Sequence, residues 1–215
     1  MAYDLEEQEQ IAVLKAWWKD HGNLVVAAVA AGALSLGAFQ GWRYYQHSRA
    51  LTAVVLYEQL EQAERAGDHK KVRDIAGQIT GKYGATPYGA FAALSAARAG
   101  FDTGDLGGAK SQLQWVMDNA KETEVRDIAR LRLAGVLLDE KNYAEALKLA
   151  EAKPVDSMAG LYADLRGDIL LTQGRKAEAR GAYQFALDKS EAGSPYRAAV
   201  QLKLDSLGEA APAAK

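Results

Sequence analysis

The chain is predicted to be all-α: a single membrane-spanning helix followed by a solenoid of helix hairpins. Three observations predict this. A 21-residue stretch near the N-terminus carries no charge, strand patterns are absent beyond it, and a pattern of small residues and glycine turns returns four times. The composition agrees. Of 215 residues, 49% are hydrophobic, 20 are Gly and 4 are Pro, which is neither a disordered nor a collagen-like mixture. The 26 Lys and Arg against 28 Asp and Glu give a net charge of -2. Broad nucleic-acid binding needs a dense basic field, so no nucleic-acid partner is expected. There is no cysteine, which excludes disulfides, Cys-zinc sites, iron–sulfur clusters and thiol catalysis without choosing a compartment.

The charges fall into three regions. Residues 1–21 hold five acids (Asp4, Glu6, Glu7, Glu9, Asp20) and two bases (Lys15, Lys19), residues 22–42 hold none, and residues 43–215 hold the other 24 bases and 23 acids. The uncharged segment Gly22–Trp42 reads GNLVVAAVAAGALSLGAFQGW. At about 1.5 Å per residue a helix of this length spans roughly 30 Å, the thickness of a bilayer's hydrocarbon core. Trp17 and Trp18 precede it and Trp42, Tyr44 and Tyr45 follow, where aromatic rings favour the two interfaces. Lys15, Lys19 and Arg43 flank it and can snorkel to the headgroups. A soluble helix this long shows a polar stripe, and this one shows none. A cleaved signal peptide has a short basic leader; here 21 net-acidic residues precede the segment. The expectation is an uncleaved single-pass anchor in contact with membrane lipid.

Within it, Ala33, Gly37 and Gly41 recur on one helix face, and Gly37 to Gly41 is a GxxxG motif. Small residues let a second helix approach closely in lipid, which makes these three the candidate packing face. Ala and Gly are also simply common in such helices, and both readings stay open. Lys and Arg tie on the two sides, so charge does not orient the span. Before it, Leu5–Asp20 lacks Gly and Pro, with Ile11, Leu14, Trp17 and Trp18 opposite Glu6, Glu9, Gln10 and Lys19. This arm is an interfacial or partner-binding amphipathic helix, or a solvated lead-in.

From residue 43 to 207 the pattern is a helical repeat. The clearest unit is Gly160–Leu187: Gly167 at a small position in helix A, Gln173-Gly174 at the turn, Ala179 small at the crossing, and Tyr183, Ala186 and Leu187 packing helix B. The frame returns upstream with Ala134, Asn142-Tyr143, Ala146 and Ala150, then Ala97, Gly104-Asp105, Ala109, Leu113 and Val116, then Leu60, Gly67-Asp68, Val72, Ala76 and Ile79. The helix-B positions Val72, Ala109, Ala146 and Ala179 are spaced 37, 37 and 33 residues. This matches the tetratricopeptide period of about 34, in which small residues let two antiparallel helices nest. After the fourth unit, Ser194-Pro195 starts a capping helix whose apolar face is Tyr196, Val200, Leu204 and Leu207, with Arg197, Lys203 and Asp205 wet. Residues 208–215 read as a loose tail. No Gly or Pro occurs from Trp42 to Ala66, so the spanning helix is expected to run on into helix A of the first unit and to hold the solenoid at the membrane face.

Catalytic chemistry is missing. His21, His47 and His69 are scattered, and no metal-ligand spacing, nucleophile elbow, P-loop or dinucleotide fingerprint appears. Asp164 and Asp168 share a helix face and could form an acid pair, but a solvated face near Arg166 or Arg175 is the plainer reading. No enzyme activity, metal or cofactor is expected. Solenoids bind polypeptide on the concave side, lined mainly by helix A. The candidate binding residues there are Tyr57, Phe91, Leu94, Arg98, Phe101, Arg132, Leu161, Asp164 and Asp168. Some of these are core residues if the frame is off by one.

Several stretches together carry a family resemblance: EQEQIAVLKAWWKDHG (6–21), GWRYYQ (41–46), TPYGAFAAL (86–94), LRLAGVLL (131–138) and YADLRGDILLTQGRKAEARGAY (162–183). In this order the chain resembles the YfgM-type family of ancillary SecYEG translocon subunits, membrane-anchored tetratricopeptide-like proteins of Gram-negative bacteria. The resemblance implies a bacterial inner-membrane protein with its N-terminus cytoplasmic and its repeat domain periplasmic. It also implies association with SecYEG, with the membrane-anchored periplasmic chaperone PpiD, and with translocating polypeptides. No catalytic residues come with the family. A competing expectation is a periplasmic tetratricopeptide adaptor that coordinates cell-envelope assembly or division.

Overall fold

The computed structural model describes residues 2–208, with side chains from residue 10 onward. The expected tail lies outside the described residues except for Gly208, and so do the side chains of Glu6 and Glu9. Nine α-helices follow one another among the described residues, without a strand: α1 (Ala2–Arg65), α2 (His69–Tyr83), α3 (Pro87–Asp102), α4 (Leu106–Asn119), α5 (Thr123–Asp139), α6 (Tyr143–Ala150), α7 (Ala159–Thr172), α8 (Lys176–Asp188) and α9 (Pro195–Ser206). α1 is unbroken through Trp42–Arg65, where Gly and Pro are absent. The chain divides into two units, Met1–Arg49 and Ala50–Lys215.

The first unit is helix with bare apolar surface. Leu24, Val29, Leu34 and Leu36 are each two-thirds exposed or more, and Phe39 and Trp42 are largely open. Length and composition make this a candidate membrane span. Its backbone polar groups pair within the helix, as hydrocarbon requires, and two side chains do so as well. The Ser35 hydroxyl donates to the Ala31 carbonyl at 2.8 Å, and the His21 ring stacks on Trp17 with centroids 5.3 Å apart. Gly37 and Gly41 face open space. Ile11, Leu14, Trp17 and Trp18 are likewise exposed.

The second unit is a run of helix hairpins: the end of α1 with α2, α3 with α4, α5 with α6, and α7 with α8, closed by α9. All four A helices end in the same way. The residue after the last turn is left-handed at Gly67 (φ 68), Gly104 (φ 78), Lys141 (φ 62) and Gly174 (φ 76). Its N–H donates three residues back, and the next N–H donates five residues back: Asp68 to Ala63, Asp105 to Gly100, Asn142 to Leu137 and Arg175 to Leu170, at 3.0, 2.8, 2.8 and 2.9 Å. This is the Schellman arrangement, which satisfies carbonyls the helix leaves open. The next residue then caps helix B. Asp68 accepts from the Lys71 N–H and Asp105 from the Gly108 N–H, at 3.0 and 2.9 Å.

In the third hairpin the sequence frame is displaced. Asn142-Tyr143 was the expected turn, but Lys141 takes the left-handed place, Asn142 is the N-cap and Tyr143 already begins α6. The reason is register: the period of 37 fixes the turn residue, whatever its type. α6 is also short, 8 residues, so a connection over 151–158 leads to α7. The buried Asp127 of α5 anchors that connection. Its carboxylate accepts from the Val155 N–H at 2.9 Å and pairs with Arg130, while its carbonyl accepts from the Tyr162 hydroxyl at 2.8 Å.

Each core cluster joins one hairpin to the next. Leu60, Val72, Ala76 and Ile79 pack with Ala92, Ala96 and Ala99 of α3. Ala93, Ala97, Leu113 and Val116 pack with Val125, Ala129 and Leu133 of α5. Ala146 and Ala150 meet Ile169 of α7, and Ala179, Tyr183 and Leu187 meet Val200 and Leu204 of α9. No hairpin buries its apolar face alone, which is the nearest-neighbour logic of a solenoid. The tightest crossing is Gly167 against Tyr183, where a Cβ would collide with a ring that is 0% exposed.

Two substitutions test this packing by urea denaturation. Gly167→Ala should destabilise the second unit by about 1–3 kcal/mol, the usual cost of overpacking, despite the better helix propensity of Ala. Lys141→Gly should stabilise it by about 1 kcal/mol, because an L-residue there carries the left-handed penalty.

Candidate functional site

The A helices (the end of α1, α3, α5 and α7) form one side of the second unit. α3 contacts α5 and α5 contacts α7 directly. Side chains on this side that point neither at helix B nor at the next A helix are left open. Phe91, Phe101 and Leu161 are 41%, 44% and 39% exposed, as are Phe185 and Leu202 elsewhere on the domain at 44% and 71%. Arg98 and Arg132 are exposed beside them.

Three local groupings result. In the first, Tyr57 lies between α1 and α3, with ring centroids 5.5 Å from Tyr88 and 6.4 Å from Phe91. Burial raises the Tyr57 phenol's pKa, and the nearby Glu64 and Glu61 carboxylates add to this. In the second, a cavity of about 320 Å³ opens between α3 and α5, lined by Ala97, Arg98, Phe101, Leu113, Arg132, Gly135, Val136 and Asp139. Burial lowers the Arg132 guanidinium's pKa, and the like charge of Arg98 lowers it further. Three sequence-predicted residues, Arg98, Phe101 and Arg132, therefore converge on one groove.

The third grouping corrects the sequence reading. Asp164 and Asp168 do not form an open acidic face near Arg166 or Arg175. Lys203 of α9 bridges them, with its ammonium donating to Asp164 Oδ1 at 2.8 Å and to Asp168 Oδ2 at 2.7 Å. The Tyr183 hydroxyl donates to the other oxygen of Asp168 at 2.8 Å. Lys203 and Arg197 thus turn inward instead of staying wet; the Arg197 guanidinium donates to the Leu187 carbonyl. The cause is the position of α9, which follows α8 as another helix A would and lays its polar residues across α7. Leu94 is also corrected: at 8% exposure it belongs to the core between α3, α4 and α5. Tyr88, Val136 and Lys203 were missed. Lys203 was recoverable by carrying the repeat frame one helix further, whereas Tyr88 and Val136 had no signal beyond being apolar.

A family model for a tetratricopeptide repeat-like domain matches residues 15–209. A relative from Neisseria gonorrhoeae, named ancillary SecYEG translocon subunit, is 31% identical over 211 residues, which is 96% of this chain and 100% of the relative. The chain belongs to the ancillary SecYEG translocon subunit family. Proteins of the same name from Haemophilus influenzae and Escherichia coli are 28% identical, covering 86% and 94% of this chain and 91% and 96% of their own. The family likeness thus takes in both the candidate span and the repeats, and in this family member the α3–α5 groove is open while the α7–α9 cluster is closed.

The closed cluster has a measurable signature. Burial pulls the Lys203 ammonium's pKa down, but the hydrogen bonds to Asp164 and Asp168 outweigh it and leave the pKa raised. Burial lifts Asp164 above its usual value in spite of Lys203, so the two ends of the bridge act with opposite sign and the net contribution at neutral pH is small. Tyr183 and Tyr196 are also raised, by burial first and then by these carboxylates. A raised lysine contributes stability that is complete below its ordinary value of about 10.5 and is lost as pH climbs through the higher folded value. Removing the lysine strands two acids. The full penalty for a buried pair is about 3–5 kcal/mol, but these groups are 35%, 16% and 32% exposed. Lys203→Met is therefore expected to cost about 1–3 kcal/mol at pH 7 after discounting for solvent. Its stability should also fall less steeply than that of the unaltered chain above pH ~10.5, as read from urea midpoints across pH.

Proposed function

We propose that this chain is a non-enzymatic accessory of the SecYEG translocon, anchored by residues 22–42, with its repeat domain on the periplasmic side of the bacterial inner membrane. There the A-helix side engages translocating polypeptide or a membrane-anchored periplasmic chaperone such as PpiD. One observation carries the reading. Exposed Phe91, Phe101 and Leu161 alternate with Arg98 and Arg132 on the side that helical solenoids use for polypeptide. The bare apolar surface of α1 supports the anchor, because water penalises so many exposed aliphatic side chains in a row and lipid does not. The full-length likeness to relatives named for the translocon supports the location. The Arg-flanked apolar side chains suit weak, sequence-tolerant capture better than chemistry, since among the described residues lining the groove there is no nucleophile–base pair.

A single position tests both partner and side of the membrane. With a photocrosslinking residue at Phe101 in the full chain, irradiation of cells exporting a secretory protein should give adducts with that protein or with the chaperone. With Phe101→Cys, the only thiol of the chain, a membrane-impermeant maleimide applied from the periplasmic side should label it. Adducts with wall-synthesis proteins alone would favour an envelope-assembly adaptor, and labelling only after lysis would reverse the orientation.

A further inference from the structure

The α3–α5 groove has a composition that a general apolar trough would not need. Its floor is apolar: Ala97, Leu113 and Val136 are buried, and Phe101 stands at its side with 44% of its surface open. Gly135 leaves the opposite wall low; a Cβ there would meet nothing within 4 Å. Two guanidiniums flank this trough. Arg98 is held only loosely, 3.7 Å from Asp102 in an exposed pair, the sort worth little in water. Among the described residues no carboxylate lies within ion-pairing distance of Arg132. Like charges drawn together over an apolar surface raise the energy of the empty site, and an anion placed between them lowers it. The planar guanidinium fork suits a carboxylate in particular.

The flanking grooves do not share this character. Beside α1 the neighbouring groove sets Arg98 with the acids Glu64 and Asp102, and beside α9 the acids Asp164 and Asp168 are already bridged by Lys203. Asp139 is the one acid lining the groove itself.

We propose that the α3–α5 groove recognises an extended polypeptide segment in which an Asp or Glu side chain neighbours a large apolar one, with the carboxylate between Arg98 and Arg132 and the apolar group against Phe101 and Val136. This rests on the reading that the repeat domain binds polypeptide, and it names the chemical class bound. Internal segments are the occupant because the groove is open to solvent and a chain in transit presents its interior as well as its end.

The test is fluorescence anisotropy on the full chain in detergent micelles, with a labelled Ser/Gly-rich peptide carrying Leu-Glu-Leu and its Leu-Gln-Leu and Leu-Lys-Leu counterparts. The Glu peptide should bind about tenfold tighter than the Gln peptide, with the Lys peptide weakest, as expected for a charge-assisted pair at a partly desolvated site. This comparison needs no variant. Arg132→Gln should bring the Glu peptide down to the Gln level while leaving the Gln peptide unchanged, and Phe101→Ala should weaken both alike. Equal binding of the Glu and Gln peptides, or a preference that survives in a folded Arg98→Gln/Arg132→Gln chain, overturns the proposal but leaves polypeptide binding standing. Failure of every peptide to bind overturns both. Competitive displacement of the Glu peptide by phosphatidylglycerol added to the micelles assigns the groove to lipid headgroups and overturns the proposal as well.

Discussion

Two helices come into close register only where no bulky side chain stands between them, and the repeat domain is built on that restriction. Ala97 and Ala109, Ala134 and Ala146, and Gly167 and Ala179 are small and buried within their hairpins, with Gly100 lying close to the Ala109 backbone and Gly167 against the Tyr183 ring. Removing side chains from the crossing gives up transfer free energy, because Ala buries little. The domain recovers it where Leu113, Val116, Ile169 and Leu187 close the gaps to the next helices. Stability is therefore shared across interfaces and resides in no hairpin by itself. The first hairpin is the exception that shows the trade: Leu60 and Val72 stand where the other hairpins have Gly or Ala, both buried in one cluster.

This division explains what was legible in the sequence. The crossing residues and the turn glycines recur because the backbone demands them, so period, hairpin count and capping helix were all readable from spacing. Ser194-Pro195 begins α9 as expected, with the Ser194 hydroxyl accepting from the Arg197 N–H. What the backbone does not demand was not readable. Lys141 fills a left-handed turn without being glycine, since a few kcal/mol of packing on either side overrides a local preference of about one. The fate of Asp164 and Asp168 depended on a lysine 35 residues beyond the second of them, about one repeat on, a distance that the long-range frame carries and no local pattern does. Leu94 sat one helical step from the exposed line that Phe91, Arg98 and Phe101 follow. At 3.6 residues per turn such a step is enough to move a side chain from surface to core.

The same reasoning separates the two halves of the functional reading. The candidate span is defined by what it lacks: charge, polar stripe and cover. The binding side is defined by what remains after packing is complete. Helix B and the neighbouring A helix claim most positions of an A helix, so the open ones are few and their chemistry is free to differ between hairpins. That freedom is visible here as acids beside α1, guanidiniums between α3 and α5, and a lysine-bridged acid pair under α9.

A net charge of -2 gives the chain no long-range pull on a basic or acidic partner. At physiological salt an exposed charge is screened within about 8 Å, so the overall balance does not decide what the A-helix side selects. A groove does, because a segment laid on its apolar floor displaces water there and lets two guanidiniums act at close range. Only a segment whose carboxylate enters together with an apolar neighbour collects both contributions. A segment with the charge alone leaves Phe101 wet, and one with the apolar residue alone leaves two like charges facing each other. Discrimination of this kind is modest for each contact, which suits the proposed short-lived capture of polypeptide.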